Sequence, residues 1–399
     1  MKKLFITALA IFSLASISCV GTQSGEKSME QITKEVMEVA AAHCKNMDAA
    51  LPEGRCPRTF ERNRFVHTDI YWWCSGFYPG SMWYIYEYTK DEEIKALAEK
   101  HTLKLDPLQW VTTDHDVGFQ LFCSYGNGYR LTGNEDYVPV LRNGAKSLAS
   151  RFNPTIGSLR SWDFKKELWD FPVIIDNMMN LDLLFAASKI TGNPYYGQVA
   201  VIHANTTMEN HFREDVTSYH VVSYNPDGSV ECKQTYQGKA DDSAWARGQA
   251  WGVYGYTAAY RETGDKRYLD HAVKIADMIM SRVTTEDAIP YWDYHAPEGE
   301  DTPRDASAAA VTACGLLELS TFVEGGKKYY NYAEKILKSL SSDAYLAAEG
   351  TNEGFVLMHS TGSLPHGSEV DVPLNYADYY YLEGLQRYMA LEGIKYADL

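Results

Sequence analysis

Seven cysteines are scattered through 399 residues with no two at CxxC spacing, so the chain carries neither a zinc-ribbon signature nor a thioredoxin-type redox pair. The HExxH, Walker A and glycine-rich dinucleotide motifs are also missing, which removes the usual metalloprotease, phosphate-loop and Rossmann readings. Basic charge is short: 37 Lys and Arg stand against 53 Asp and Glu, for a net charge of −16. A surface of that sign repels phosphate, so nucleic acid is not an expected partner. Any anionic substrate has to meet a local basic site instead. The apolar run at the N-terminus, Leu4 to Ile17, is too short for a comfortable membrane span.

What the chain does have is the balance of a soluble globular protein, 45% hydrophobic and 23% charged. It is also rich in flat side chains, with 29 Tyr and 9 Trp, which suit a core and equally suit stacking on sugar rings. Lys2 and Lys3 precede an apolar run from Leu4 to Ile17 that ends Ser16-Ile17-Ser18-Cys19. This pattern predicts export and resembles a bacterial lipoprotein site with Cys19 lipidated; simple cleavage nearby is the other reading. Residues 1–28 are thus expected to be a signal peptide and tether, and 29–399 a single catalytic domain. The expected location is periplasmic or anchored at the outer membrane of a bacterium, with membrane contact only through Cys19. The other six cysteines, Cys44, Cys56, Cys74, Cys123, Cys232 and Cys314, are expected as buried free thiols.

An internal repeat organises the rest. Tyr129-Arg-Leu-Thr-Gly-Asn-Glu-Asp-Tyr137, Ser188-Lys-Ile-Thr-Gly-Asn-Pro-Tyr-Tyr196 and Tyr260-Arg-Glu-Thr-Gly-Asp-Lys-Arg-Tyr268 each join two apolar-periodic segments. Glycine stops one helix, and Asn or Asp caps the next. Weaker copies lie at Tyr88–Asp91 and Val323–Tyr329. The spacing predicts helices near 80–89 and 92–104, 117–131 and 135–150, 174–190 and 194–210, 245–262 and 266–282, and 305–323 and 327–341. One further helix is expected near 29–47 and one near 376–392. These about twelve helices make six hairpins, and the expected fold is an all-α (α/α)6 barrel. A small β-hairpin insertion is expected at 219–224 and 229–232, around Asn225-Pro-Asp-Gly228. An open solenoid is the competing architecture.

The connections alternate. Those into the even-numbered helices are long and rich in Trp, Asp, His and Gly, and alternation puts them at one end of the barrel. They hold Trp73, His115 with Asp116, Trp162, Asp176, and Trp245-Ala-Arg-Gly-Gln-Ala-Trp251. Function commonly sits on such loops. Two carboxyls with separated pKa values suffice to protonate a substrate and position water, with no cofactor and no metal. Asp116 and Asp176, at the starts of consecutive inner helices, are the catalytic candidates; helix capping is the bland alternative. Arg247 has the planar fork that suits a carboxylate. Its alternative is an ion pair with Asp241 or Asp242. His115 and His220 each read more readily as satisfied structural histidines than as catalysts.

Four ordered motifs carry a resemblance: Trp73-x-x-Gly76-Phe77-x-Pro79-Gly80, His115-Asp116-x-Gly118-Phe119, Asp176-Asn-Met-Met-Asn180 and Asp242-Ser-x-Trp245-x-Arg247-Gly248-Gln249-x-Trp251. From about residue 30 onward the chain resembles glycoside hydrolase family 88, the unsaturated glucuronyl hydrolases. The resemblance implies the (α/α)6 barrel, a small unsaturated oligosaccharide as partner, and release of its terminal 4,5-unsaturated glucuronic acid, with glycosaminoglycan fragments as the expected source. In this reaction an Asp protonates C4 of the C4=C5 bond, water adds at C5, and the hemiketal opens. By motif position Asp176 matches the general acid/base and Asp116 its partner. Trp73, Trp162, His220, Gln237, Trp245, Arg247 and Trp251 match substrate contacts, with His115 beside them. Ser363 and Ser368, in a Gly/Ser loop, match a region that can hold a sulfate through Ser and Lys. No Lys follows them here, and Lys239 and Arg247 are the nearest cations expected. A related pectin enzyme, the unsaturated rhamnogalacturonyl hydrolase, is expected to read nearer Trp-Gly-Arg-Gly-Asn. A glycan-binding lipoprotein and an ordinary inverting glycosidase are the remaining readings.

Overall fold

The repeated turns fold as their composition dictates. Gly133, Gly192 and Gly264 each take a left-handed φ, between 63° and 69°, a conformation that costs a glycine nothing. Asn193 and Asp265 then accept the N–H of Tyr195 and Arg267 at 3.1 and 2.9 Å, starting the next helix as true caps. The weaker copy at Tyr88–Asp91 works the same way with Lys90 at φ 55° and Asp91 accepting from Glu93 at 2.8 Å.

The computed structural model describes residues 27–393; Cys19 and nearly all of the segment expected to be a signal peptide and tether lie outside them. In chain order the helices are α1 (Met29–Ala50), α2 (Phe77–Thr89), α3 (Glu92–Leu103), α4 (Val117–Leu121), α5 (Asn127–Thr132), α6 (Tyr137–Ala149), α7 (Asn177–Thr191), α8 (Pro194–Asn210), α9 (Ala246–Thr263), α10 (Lys266–Arg282), α11 (Ala306–Phe322), α12 (Lys327–Leu340) and α13 (Asn375–Leu391). α4 and α5 are joined by a π-helical turn at Phe122–Gly126, so together they fill the place of the single helix expected at 117–131. Helix periodicity does not reveal such a widened turn.

The helices α2, α4–α5, α7, α9, α11 and α13 pack each against the next, and α13 closes back on α2. That ring excludes an open solenoid: the fold is the (α/α)6 barrel. The inner members are buried nearly all round. α11, for example, buries every residue from Ala306 to Leu317, and its run of Ala, Gly and Ser lets neighbouring backbones approach closely. The outer helices are amphipathic; α12 buries Tyr329, Ala333, Ile336, Leu337 and Leu340 along one stripe.

Strands decorate one end. β1 (Cys56–Glu61) pairs β2 (Arg64–Thr68), and the two-residue strands β3 (Phe152–Asn153) and β4 (Ser158–Leu159) pair each other. β6 (Val221–Tyr224) and β7 (Val230–Gln234) form the expected hairpin, widened to three strands by β5 (Pro172–Ile174) just ahead of α7. The segment expected as a Gly/Ser loop is itself a hairpin, β8 (Ser360–Ser363) with β9 (Ser368–Val372). Its register shifts between Ser360 and Thr361, and Glu369 and Asp371 take positive φ; such a distorted ladder leaves no clean alternation to read. All six cysteines among the described residues are free thiols, five of them buried.

Candidate active site

Asp116 stands immediately before α4 and Asp176 immediately before α7. Among the described residues neither side chain bonds a backbone N–H of its own helix, whereas Asp91, Asn193, Asp265 and Asp305 all do. Capping therefore does not explain this pair. Their helices meet closely. A Cβ on Gly118 would fall 2.5 Å from Asn180, and Asn180 Oδ1 accepts the Phe119 N–H at 2.7 Å. The glycine of one motif and the asparagine of the next thus lock the two aspartates into one mouth. Gly248 does similar work for α9: a Cβ there would crowd Ile175, one residue before Asp176, at 3.3 Å.

The site is dry. Burial lifts the Asp176 carboxyl to about 7, although the Arg247 charge and the Trp251 indole pull the other way. Asp176 Oδ2 is buried and has no hydrogen-bond partner among the described residues. Asp116 is held well above the usual carboxylate range by burial, then by Asp114 beside it and by Asp176. The inner helices point their N-termini to this end, and their dipoles temper the cost of negative charge there.

His220 Nε2 lies 3.7 Å from Asp176 Oδ2. Its Nδ1 accepts the backbone N–H of Tyr236 at 3.0 Å and of Gln237 at 3.1 Å. A ring nitrogen that accepts carries no proton, so the neutral imidazole is fixed as the Nε2–H tautomer, with its donor facing the acid. Burial, and then the positive charge of Arg247, hold it well below its ordinary pKa, so it stays neutral. His115 is likewise buried and pushed down to about 4, with Nε2 3.4 Å from Asp116 Oδ1.

Aromatic rings line the walls. Trp245 lies against His220 at 4.7 Å, and Trp162 meets the same ring edge-on at 6.2 Å. Trp73 packs on Tyr376 at 4.7 Å and Phe119 at 5.8 Å, and Trp251 on Phe119 at 5.4 Å. The indole nitrogens of Trp162 and Trp251 are buried without a full hydrogen bond among the described residues, although Trp251 sits near enough to Asp176 to favour its ionised form. Two aspartates freed from capping, on neighbouring inner helices of an (α/α)6 barrel, decide the classification together with the four motifs.

The chain belongs to glycosyl hydrolase family 88. The sequence model of that family matches residues 41–389. The chain is 40% identical over 394 residues to an unsaturated glucuronyl hydrolase of Formosa agariphila, covering 97% of this chain and 98% of that one. Among solved structures it is similar to an unsaturated glucuronyl hydrolase specific for heparin, at 47% identity and a TM-score of 0.89, over 92% of this chain and 99% of that one. A mutant unsaturated glucuronyl hydrolase of Streptococcus agalactiae complexed with dGlcA-GalNAc6S matches at 28% identity and a TM-score of 0.78, over 96% and 98% of the two chains.

Within this family 88 member, Arg247 does not present an open fork. It is 1% exposed. Nη1 donates to Asp305 at 2.7 Å and to the Thr361 carbonyl at 2.6 Å, while Nη2 donates to the Gly362 carbonyl at 2.7 Å. Its guanidinium lies over Trp245 at 4.5 Å and Tyr376 at 5.3 Å. The ion pair is with Asp305 rather than Asp241 or Asp242. Arg247 thereby ties the β8–β9 hairpin to the barrel and acts on Asp176 through its field. Gln237 supports the same hairpin, donating to the Gly362 carbonyl at 3.1 Å.

Ser363 Oγ is 2.7 Å from His366 Nδ1, and Ser368 Oγ accepts from Arg58 Nη2 at 3.3 Å. Arg58 comes from β1, is paired with Glu369 at 2.6 Å and lies over Trp72 at 4.0 Å. It is the cation at the serine hairpin that the sequence reading missed, because more than 300 residues separate it from Ser368. Lys239 instead donates to the His295 carbonyl at 2.6 Å. Tyr376 and Asp305 were also overlooked as partners of Arg247; the capping position of Asp305, ahead of an alanine run, is the one local signal that marks it.

Proposed function

We propose that this enzyme releases the terminal 4,5-unsaturated glucuronic acid from lyase-generated fragments of glycosaminoglycans. The observation that carries this reading is Asp176: a buried carboxyl, held at about 7, whose Oδ2 has no partner among the described residues. A carboxyl kept protonated near neutrality is a proton donor waiting for an acceptor. In the proposed reaction Asp176 gives its proton to C4 of the double bond. Water adds at C5 and returns a proton to Asp176. The hemiketal so formed opens, and the link to the second sugar breaks. His220, neutral and pointing Nε2–H at the acid, supports the carboxylate while it is ionised. Asp116 beside it, its carboxyl held above the usual carboxylate range, is placed to hydrogen-bond sugar or water. Trp73, Trp162 and Trp245 supply apolar walls for the ring, while Trp251, fully buried, supports Asp176 from behind.

The heparin-specific neighbour at 47% identity supports glycosaminoglycan fragments, and the streptococcal relatives named unsaturated chondroitin disaccharide hydrolases, at 31–32% identity, support the same class. The test is the ultraviolet absorbance of unsaturated disaccharides from heparin, chondroitin and hyaluronan. Loss of the enol-ether band with release of the second sugar is expected. Silence on all three with turnover of unsaturated pectin fragments would overturn the substrate assignment, and silence on every unsaturated sugar would overturn the reaction.

A further inference from the structure

The wall that begins at the acid continues outward and ends in a free aromatic face. His220 touches Asp176 at 3.7 Å, Trp162 meets His220 at 6.2 Å, and Phe164 lies nearly parallel on Trp162, at 4.7 Å with 29° between the planes. Along this line exposure rises steeply: Trp162 is 6% exposed and Phe164 45%. Tyr236 braces both rings, at 5.6 Å from Trp162 and 5.8 Å from Phe164. Phe164 is therefore held in place by two rings while one of its faces remains in water. An aromatic ring held by two others with part of its surface in solvent can stack on a ligand ring.

We propose that Phe164 is a specificity-determining residue: its free face stacks on the second sugar of the substrate, the one that is released. This rests on the reading of Asp176 as the acid. The unsaturated sugar must lie at the buried end, with its double bond at Asp176, so whatever is linked to it runs toward the opening. Phe164 is the most exposed member of this wall, at 45%. It touches neither Asp176 nor Asp116, so it contributes binding to the leaving group and nothing to the proton transfer.

The experiment compares two substrates of the full-length enzyme. One is the unsaturated disaccharide from heparin; the other is the methyl glycoside of the same 4,5-unsaturated glucuronate, which has no second ring. Phe164→Ala is expected to raise KM for the disaccharide by roughly three- to tenfold, the worth of one ring stack. It should leave kcat, and every constant for the methyl glycoside, unchanged. Phe164→Trp is expected to restore the disaccharide KM. If Phe164→Ala leaves the disaccharide KM unaltered, or raises KM for both substrates alike, the assignment fails, and Phe164 is only a cover over Trp162. Wild-type enzyme inert on both substrates would instead sink the underlying reaction.

Discussion

The two ends of the barrel treat buried polar groups in opposite ways. At the mouth, Asp176 Oδ2, His220 Nε2, Trp162 Nε1 and Trp251 Nε1 are buried without hydrogen-bond partners among the described residues. Toward the other end the inner helices carry charges that answer one another. Asp182 of α7 meets Arg261 of α9 at 2.9 Å, and Glu318 of α11 meets both Arg261 at 2.8 Å and Arg387 of α13 at 2.6 Å. Glu383 pairs with Arg387 at 2.7 Å, and Glu87 of α2 with Arg130 of α5 at 2.6 Å. Both arrangements desolvate carboxyls. The second sets arginines against them, and at Glu318 the difference shows in the pKa, whereas Asp182, with burial and three neighbouring carboxylates opposing Arg261, stays raised to about 6. Burial alone would raise Glu318, but Arg261 and Arg387 bring it down to about 2, whereas Asp176 is left at about 7. The paired end ties the helices together; the unpaired end holds a reactive proton at a cost in stability.

The sharpest way to break this contrast is Asp176→Asn, which removes the proton and keeps the shape. Turnover of the unsaturated disaccharide is expected to fall by at least about 10²- to 10⁴-fold, with the thermal midpoint unchanged or raised. Near-normal turnover in a steady-state assay would remove Asp176 from the mechanism. The mirror experiment is Arg387→Met at the paired end. It leaves Glu383 without an ion-pair partner among the described residues and Glu318 with Arg261 alone, and urea unfolding should show a loss of about 3–5 kcal/mol while kcat stays as in the wild type. A fall in kcat without loss of stability would mean the two ends are not separate.

Next in size is the pH profile. The acid must be protonated, so kcat/KM should hold below about pH 7 and drop roughly tenfold per unit above it, following the raised Asp176 value. Stability runs the other way at low pH. Glu318 is depressed from 4.5 to about 2, so its contribution is full above pH 4.5 and is lost as pH falls from there toward about 2. Urea titrations across that range should show the decline in the wild type. The smallest effect expected is an absence: His220 is held neutral well below 6.5, so the activity profile should show no imidazole limb in addition to the one set by Asp176. A second limb that disappears in His220→Gln would mean that the imidazole titrates during turnover.

Much of the architecture was legible because it is local. Thr-Gly-Asn turns and the apolar stripes between them need only neighbours three or four residues away, and the helix bounds they predict agree with the structure to within a few residues. The two aspartates were legible for the same reason, as helix starts in apolar surroundings. The interruption at Phe122–Gly126 was not, since a π turn leaves no mark on residue type. Nor was the β8–β9 hairpin, whose ladder is short and shifted.

By itself the sequence determined the paired helices, their capped turns, the collection of Trp, His and Asp at one end, and the motifs shared with family 88. These follow from period, capping and spacing, which act along the chain. Tertiary structure alone decided which polar atoms find partners. It assigned Arg247 to Asp305, 58 residues away, and Arg58 to Ser368, 310 residues away. It set the tautomer of His220 through two backbone N–H groups of a strand-end loop, and it left Asp176 Oδ2 buried without a hydrogen-bond partner among the described residues. Desolvation and pairing depend on what closes around a group from every side, and no stretch of sequence holds that information.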